Sequence, residues 1–494
     1  MDPRQTVGGW IAPSPEARAD SVRESKPSNI SSGEGGRSQS RSFTGASHRT
    51  GKGHHARGRQ PLQALIGRVR RDSLLRNSLF IMLTTVVNSA CGFVFWFIAA
   101  RLFAPRDVGL TAAITSASTI VVILATIGVG GTLIQSLPHW HESESRWSTF
   151  WAGLATAVAA SVVIGCLTVV LLPLISEKLS ALHDAGYMLF FIVATVALGA
   201  GSVIDSVFIA QRAAGSMFVR NSVSAVSKVL LIIVVAMLAG TTPLSLLGAW
   251  AAAAIVGLGF GVDILVRRMK LPRPPRASVV ARTAFELRSR LAGNQLIGIG
   301  TALLPYLLPL LVTARLSLAE NAYFYTTWMM GGIFLIIAPA VSQSLFAEGV
   351  NNPQDLHART RSALVFIAVI LAPLVTVIFL MGGTLLSALG SDYEHHAIGL
   401  LHIVLLASIP DAILNVYISV LRVRGRLMVA AGLSVGIGIG ILALSWSLLP
   451  VLGINAVGWA FLWMQVGGCI FMFFDMAGVS RLRRAVALSG RARS

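Results

Sequence analysis

Apolar stretches of roughly twenty residues, broken by short polar segments, recur along most of this chain; each is long enough to cross a bilayer as a helix. Within such a helix every backbone N–H and C=O is bonded inside the segment, as hydrocarbon demands. Twelve spans are predicted: 78–100, 108–136, 148–172, 187–211, 218–239, 245–266, 292–314, 321–347, 362–384, 397–421, 427–449 and 455–475. The second exceeds what a bilayer requires and predicts a kink at Gly128, Gly130 and Gly131. The implied fold class is an all-α polytopic membrane protein.

A short motif occurs twice within this pattern. Arg212-Ala-Ala-Gly215, followed by Val219, returns 210 residues later as Arg422-Val-Arg-Gly425, followed by Val429. Three weaker echoes keep the same order at nearly the same offset: Ala100-Arg101-Leu102 with Ala314-Arg315-Leu316, Gln135-Ser136-Leu137 with Gln343-Ser344-Leu345, and Leu247-Gly248 with Val457-Gly458. Ordered echoes at one offset predict an internal duplication. Six spans per copy give both copies the same orientation, related by an axis along the membrane normal.

Composition agrees with this reading, since 54% of the 494 residues are hydrophobic and only 12% charged, against about 25% charged in soluble domains. The net charge of +19 would suggest nucleic acid in a soluble protein. Its distribution argues for topology instead. Basic residues crowd alternate loops: Arg212 and Arg220; Arg267 through Arg290; Arg359 and Arg361; Arg422, Arg424 and Arg426; then Arg481 through Arg493. The intervening loops hold only Arg101, Arg106, Lys178 and Arg315. This positive-inside pattern predicts a plasma-membrane protein with both termini cytoplasmic. It also predicts contact with anionic lipid heads and no nucleic-acid partner.

Five segments follow. Residues 1–75 are Ser-, Gly- and Arg-rich and predict a disordered basic tail without a signal peptide. Residues 76–266 form a first six-helix lobe, 292–475 a second, and 476–494 a basic tail. Between the lobes, 267–291 passes through Pro272, Pro274 and Pro275 into a stretch from Ala277 to Arg288 that suits an amphipathic interfacial helix. Cys91, Cys166 and Cys469 all fall within spans and lack metal or disulfide spacing. His139, His141, Glu142 and Glu144 resemble a metal cluster only loosely. No cofactor and no metal are expected.

Several motifs carry a family resemblance. The stretch from Asn77 through Ala99-Ala-Arg-Leu102-Phe-Ala-Pro105-Arg-Asp107-Val-Gly109 resembles the opening of the polysaccharide transporter family. That family belongs to the multidrug, oligosaccharidyl-lipid and polysaccharide exporter superfamily. Gly128-Val-Gly-Gly131-Thr-Leu-Ile-Gln135 resembles the end of its second span, and the two Arg-x-x-Gly turns resemble its 4–5 and 10–11 connections. The resemblance covers roughly residues 76–475. It implies two MATE-like six-helix lobes around a central cavity, often lined by cationic side chains that face a lipid diphosphate. It implies a flippase that moves lipid-linked oligosaccharides across the plasma membrane by alternating access, beside the enzymes of polysaccharide assembly.

Ionisable residues at membrane depth are costly, so they pair or line an aqueous path. Lys228 stands near the middle of the fifth span, about 15 Å from its cytoplasmic start. Arg220, Ser224, Ser227 and Lys228 share one helical stripe. Asp205, at a similar depth on the antiparallel fourth span, is placed to meet Lys228. Two readings stand: a buried structural pair, or a cavity where Lys228 and Arg220 attract phosphate. At the 210 offset Asp205 maps to Asn415 and Lys228 to Gly438. Gly432, Gly436 and Gly440 predict close packing of the eleventh span. Asp411 and Asn415 share a face beside Pro410, which predicts a broken helix and a candidate proton or sodium site, or a locally satisfied aspartate.

Other polar groups have plain readings beside functional ones. Asn88, Asn294, Gln295 and Gln465 suit either a cavity or interhelical hydrogen bonds. Arg101 and Arg315 suit snorkelling to the outer interface. Asp107 and Asn321 read as helix N-caps. Tyr306, Tyr323, Phe324, Tyr325 and Trp328 suit sugar stacking, although Tyr323 to Trp328 fit an aromatic membrane belt better. A cation-coupled multidrug exporter of the same superfamily, using Asp205 or Asp411, is the first alternative to the flippase. A membrane polymerase or glycosyltransferase is the second. It needs acid–base or diphosphate-binding groups in a large outer loop, and the longest here, 173–186, holds only Glu177, Lys178, His183 and Asp184. No enzyme activity is predicted.

Overall fold

A computed structural model describes residues 73–137, 143–287, 303–351 and 353–491. Among the described residues, and apart from a helix at 277–287 between the lobes, the helices follow in order: α1 (Ser73–Leu102), α2 (Pro105–Ser136), α3 (Ser143–Ile175), α4 (Ala185–Ala210), α5 (Ala214–Ala239), α6 (Pro243–Arg267), α7 (Leu304–Arg315), α8 (Leu318–Asn351), α9 (Leu356–Ser387), α10 (Ser391–Val423), α11 (Leu427–Leu452) and α12 (Asn455–Arg491). Eleven are long and apolar enough to cross a membrane, and α7 is a shorter apolar helix. The predicted start of the seventh span, with Asn294 and Gln295, lies outside the described residues, as do residues 1–72 and His139, His141 and Glu142. The fold is thus two six-helix repeats.

The repeat is exact in topology but its register differs from the motif. Pro105 and Leu318, Ser143 and Leu356, and Ala214 and Leu427 begin equivalent helices, each pair 213 residues apart. The turn between α4 and α5 explains the discrepancy. Arg212 itself adopts the left-handed conformation at φ 56°, whereas in the second copy that place belongs to Gly425 at φ 74°. The same closing bonds follow, Ala213 N–H to Phe208 C=O and Arg426 N–H to Leu421 C=O, which is the helix-ending pattern built on a left-handed residue. The Arg-x-x-Gly match is therefore three residues out of structural register. Asp205 corresponds to Ile418 rather than Asn415, and Lys228 to Ile441 rather than Gly438.

In each lobe the fourth helix is central: α4 packs on α2, α3 and α6, and α10 packs on α8, α9 and α12. The outer pairs α5–α6 and α11–α12 repeat as well. Between lobes, α2 meets α7 and α8, and α1 meets α8. The α2–α8 crossing is intimate near their N-terminal ends, where a Cβ on Gly109 would lie 1.6 Å from the Leu318 carbonyl oxygen. Asn321, fully buried, donates its side-chain N–H to the Gly109 carbonyl at 2.8 Å. Trp96 and Tyr325 pack edge to face nearby, 4.7 Å apart. At the same end Lys178, in the 3-10 segment Glu177–His183, donates to the carbonyls of Ala314 and Leu316 at the close of α7.

Several local expectations change. Neither Asp107 nor Asn321 is an N-cap: both lie in a first turn, after Ala104 in α2 and with Ser317 accepting from Glu320 N–H in α8. Pro410 does not break α10, which runs unbroken through it. Nor is α2 interrupted at Gly128, Gly130 and Gly131. Gly432, Gly436 and Gly438 meet no atom within 4 Å where a Cβ would stand. These three do not pack closely, and Gly432 and Gly436 line an open apolar groove of about 580 Å³ with Gly467 and Gly468 of α12, whereas Gly440 does pack closely, since a Cβ there would stand 2.2 Å from Met464 of α12. Residues 277–287 are helical. This segment buries Leu287, leaves Phe285 and Val279 exposed, and lays Ala284 and Leu287 beside Val129, Leu133 and Thr149. The segment 476–491 continues α12 as helix.

Two substitutions test this register and crossing. Arg212→Gly removes a left-handed conformation that costs a side-chain-bearing residue about 1 kcal/mol, so thermal unfolding in detergent should show a stabilised protein. Gly109→Val should lower the midpoint markedly, because the Leu318 backbone has no room to move away from a branched side chain.

Candidate functional site

The first polar constellation lies inside the first lobe. Arg220 on α5 is buried and forms an ion pair with Asp205 on α4 at 2.5 Å. Its Nε donates to the Gly257 carbonyl on α6 at 3.3 Å, and Asn221 donates to the same carboxylate oxygen of Asp205 at 3.0 Å. Glycines make the room: a Cβ on Gly201 would stand 2.1 Å from the guanidinium, and one on Gly261 3.1 Å from its stem. Ser224 donates to the Ala253 carbonyl of α6 at 3.0 Å. Arg220 and Ser224 are thus turned into the α4–α5–α6 interface, not toward a central cavity, which was one of the two readings of the stripe. The partner of Asp205 is Arg220 and not Lys228. Gly201 on α4 and Gly261 on α6 leave room for the arginine side chain to reach that carboxylate.

Lys228 is left with a different environment. Its ammonium lies 5.8 Å from the Phe95 ring centroid on α1, close enough for a cation–π contact, with Cys91 also near. No carboxylate pairs with it among the described residues. Asn88, one turn from Cys91 on α1, is exposed.

The second constellation lines a cavity of about 700 Å³, within the ~300–1,000 Å³ usual for small-molecule sites. α1 contributes Ser89 and Phe93, and the second lobe supplies the rest. Asp411 and Asn415 of α10 both face it, as do Gln465 of α12 and Ser434 of α11. Asp411 is buried, and Gln465 donates to its Oδ1 at 2.8 Å. Asn415 donates to the Asp411 backbone carbonyl at 2.9 Å, leaving its own side-chain oxygen free to accept. Asp411 stands about 18 Å along α10 from Val423, deep in the span. Tyr306, Tyr325, Trp328 and Phe461 complete the wall. Tyr325 and Trp328 are therefore cavity residues rather than a membrane belt. Tyr323 instead stacks on His396 at 4.6 Å, and Phe324 is fully buried.

A third cluster was not foreseen. Arg426, in the α10–α11 turn, grips Asp475 of α12 through two bonds of 2.6 and 2.7 Å, and the Tyr417 hydroxyl donates to the same carboxylate at 2.6 Å. A bidentate charged pair of this kind fixes direction as well as distance. An acid at the end of a span that finishes beside an arginine-rich turn was the available signal. At the opposite end, Arg315 stacks over Trp446 at 4.5 Å and donates to its carbonyl.

The fold and these sites can be set beside known proteins. A family model described as "Polysaccharide biosynthesis protein" matches residues 98–397. The chain belongs to this polysaccharide biosynthesis protein family. No curated protein sequence matches it. Among solved structures it is similar to the lipid II flippase MurJ in an inward closed conformation, with TM-score 0.67 at 9% identity over 81% of this chain and 87% of that one. It is similar to an inward-facing multidrug resistance MATE family transporter of the MOP superfamily, with TM-score 0.61 at 13% identity over 83% and 99% of the two chains. An outward-facing MATE transporter gives 0.54 at 12% identity over 83% and 96%. This polysaccharide biosynthesis family member thus carries the two-lobed fold of those transporters and is a multi-pass membrane protein.

The buried pair in the first lobe makes a direct prediction. Asp205→Ala strands the Arg220 charge and should cost about 3–5 kcal/mol. The Asp205→Leu/Arg220→Met double variant should lose less than Asp205→Ala alone, as read by thermal unfolding in detergent.

Proposed function

We propose that this protein is a flippase that carries a lipid-linked saccharide across the plasma membrane, holding the glycan in the second-lobe cavity. The observation that carries this reading is the cavity itself: aromatic faces from Tyr306, Tyr325, Trp328 and Phe461 stand beside the amides of Asn415 and Gln465 at membrane depth. Flat rings receive the C–H faces of sugars while amides and a carboxylate exchange hydrogen bonds with hydroxyls. Membership of a polysaccharide biosynthesis family supports it, as does likeness to a lipid II flippase. Lys228 supplies a cation without a carboxylate partner among the described residues, suited to a lipid diphosphate.

The cycle proposed is alternating access by rocking of the two lobes. The lobes meet through α2 and α8 at the end that holds Gly109 and Asn321. With both termini cytoplasmic, that end is external, so the cavity opens inward in this state. The higher TM-score against the inward-facing than against the outward-facing MATE transporter supports the assignment. Anionic lipids meet the basic loops and the linker helix, and polysaccharide assembly enzymes act on either side of the transport step.

A second reading is a cation-coupled multidrug exporter. Asp411 favours it, since a carboxylate inside an aromatic cavity is also a site for an organic cation. Proteoliposomes separate the two. With a fluorescent polyprenyl-diphosphate oligosaccharide, the wild type should translocate label, Lys228→Ala should slow it at least tenfold, and Trp328→Ala should slow it severalfold. Normal transport by Lys228→Ala removes lysine from the mechanism. Extrusion of ethidium with no lipid movement sinks the flippase reading and leaves the exporter.

A further inference from the structure

Residues that line the large cavity include one charged side chain, Asp411, and no lysine, arginine or histidine among the described residues. Its other polar groups are the amides of Asn415 and Gln465, the hydroxyls of Ser89, Ser434, Tyr306 and Tyr325, and the indole of Trp328. Lys228 does not line it. The lysine neighbours Cys91 and Phe95, on roughly the opposite face of α1 from Ser89 and Phe93, which do. Arg220 is occupied by Asp205 inside the first lobe. Cationic attraction is thus separated from the cavity by the width of a helix.

That separation sorts the parts of a lipid-linked saccharide. A diphosphate finds its cation on the α5 side of α1. A sugar that enters the cavity meets neutral hydrogen-bonding groups, aromatic faces and one carboxylate. A sugar carboxylate there would be desolvated with no counter-charge, and it would face Asp411, both of which disfavour it. A hydroxyl or N-acetyl group finds donors and acceptors. A protonated amine finds Asp411 and the ring faces.

We propose that the cavity selects uncharged and amino-bearing glycans and rejects acidic ones, with Asp411 as the selecting charge. This rests on the flippase reading and sharpens it. Three synthetic polyprenyl-diphosphate lipids provide the test, carrying an N-acetylhexosamine, a free aminohexose or a hexuronic acid. In proteoliposomes the wild type should move the first two at least tenfold faster than the uronate. Asp411→Asn should reduce the aminohexose rate severalfold relative to the N-acetylhexosamine. Asn415→Asp, which adds a carboxylate to the same wall at equal size, should widen the gap against the uronate. Because each result is a ratio within one preparation, a loss of folded protein cancels. A uronate rate within threefold of the neutral rate overturns the selectivity and leaves the flippase reading standing. Unchanged ratios in both variants remove Asp411 as the selecting group. If none of the three lipids moves, the flippase reading falls and takes this proposal with it.

Discussion

The lobes of this protein depend on one crossing. α2 and α8 come so close at Gly109 and Leu318 that no side chain fits between them, and the Asn321 amide spends its N–H on the Gly109 carbonyl. In hydrocarbon that bond has no water to compete with it, yet such interhelical bonds are worth only about 1 kcal/mol each. The crossing is therefore specific without being strong. Trp96 and Tyr325 extend it along α1, and Lys178 ties the first lobe to the end of α7. Beyond these and the packing of α2 on α7, contacts between lobes are few, because α3, α4, α6, α9, α10 and α12 pack within their own halves. A hinge made of small increments suits the rocking of two lobes proposed above.

Much of the fold is legible in the sequence because a bilayer admits few solutions: length and apolarity alone placed the helices, and the ordered echoes divided them into two sets of six. The register of the duplication was harder. Arg212 and Arg422 match as letters, but the backbone needs its left-handed residue at Arg212 in one copy and at Gly425 in the other. A motif of two fixed residues could not distinguish a conserved turn from a coincidence one helical turn away. The consequence is concrete, since the proper counterparts of Asp205 and Arg220 are Ile418 and Leu433, and the polar slot of the first lobe becomes plain packing in the second.

Side-chain partners were legible only in kind. Depth identified Asp205, Lys228 and Asp411 as residues with something to satisfy. It did not say which neighbour would do so, and for Asp205 that choice rests on the room Gly201 and Gly261 leave for Arg220, glycines that read in sequence as ordinary helix packing. The aromatic cluster was misread for a related reason. Tyr325 and Trp328 are close enough to the start of α8 to suit a membrane surface, and only the approach of α1, α10 and α12 converts their face into a cavity wall.

The two lobes emerge as unequal partners built on one plan. In the first, the Arg220–Asp205 pair and its glycine slot bind α4, α5 and α6 into a stiff unit. In the second, the equivalent of α5 is α11, where Gly432, Gly436 and Gly438 touch nothing on their open sides and Ile437 borders both the cavity and the outer groove. Glycine in a helix interior lowers its resistance to deformation. α11, which borders the cavity, is thus the more compliant helix of the pair, held at its turn by Arg426 on Asp475 and toward its other end by Arg315 on Trp446. In the proposed cycle the first lobe serves as the fixed body and the second as the one that adapts. A bulky glycan can then be accommodated by bending α11 rather than by opening a polar path through both halves.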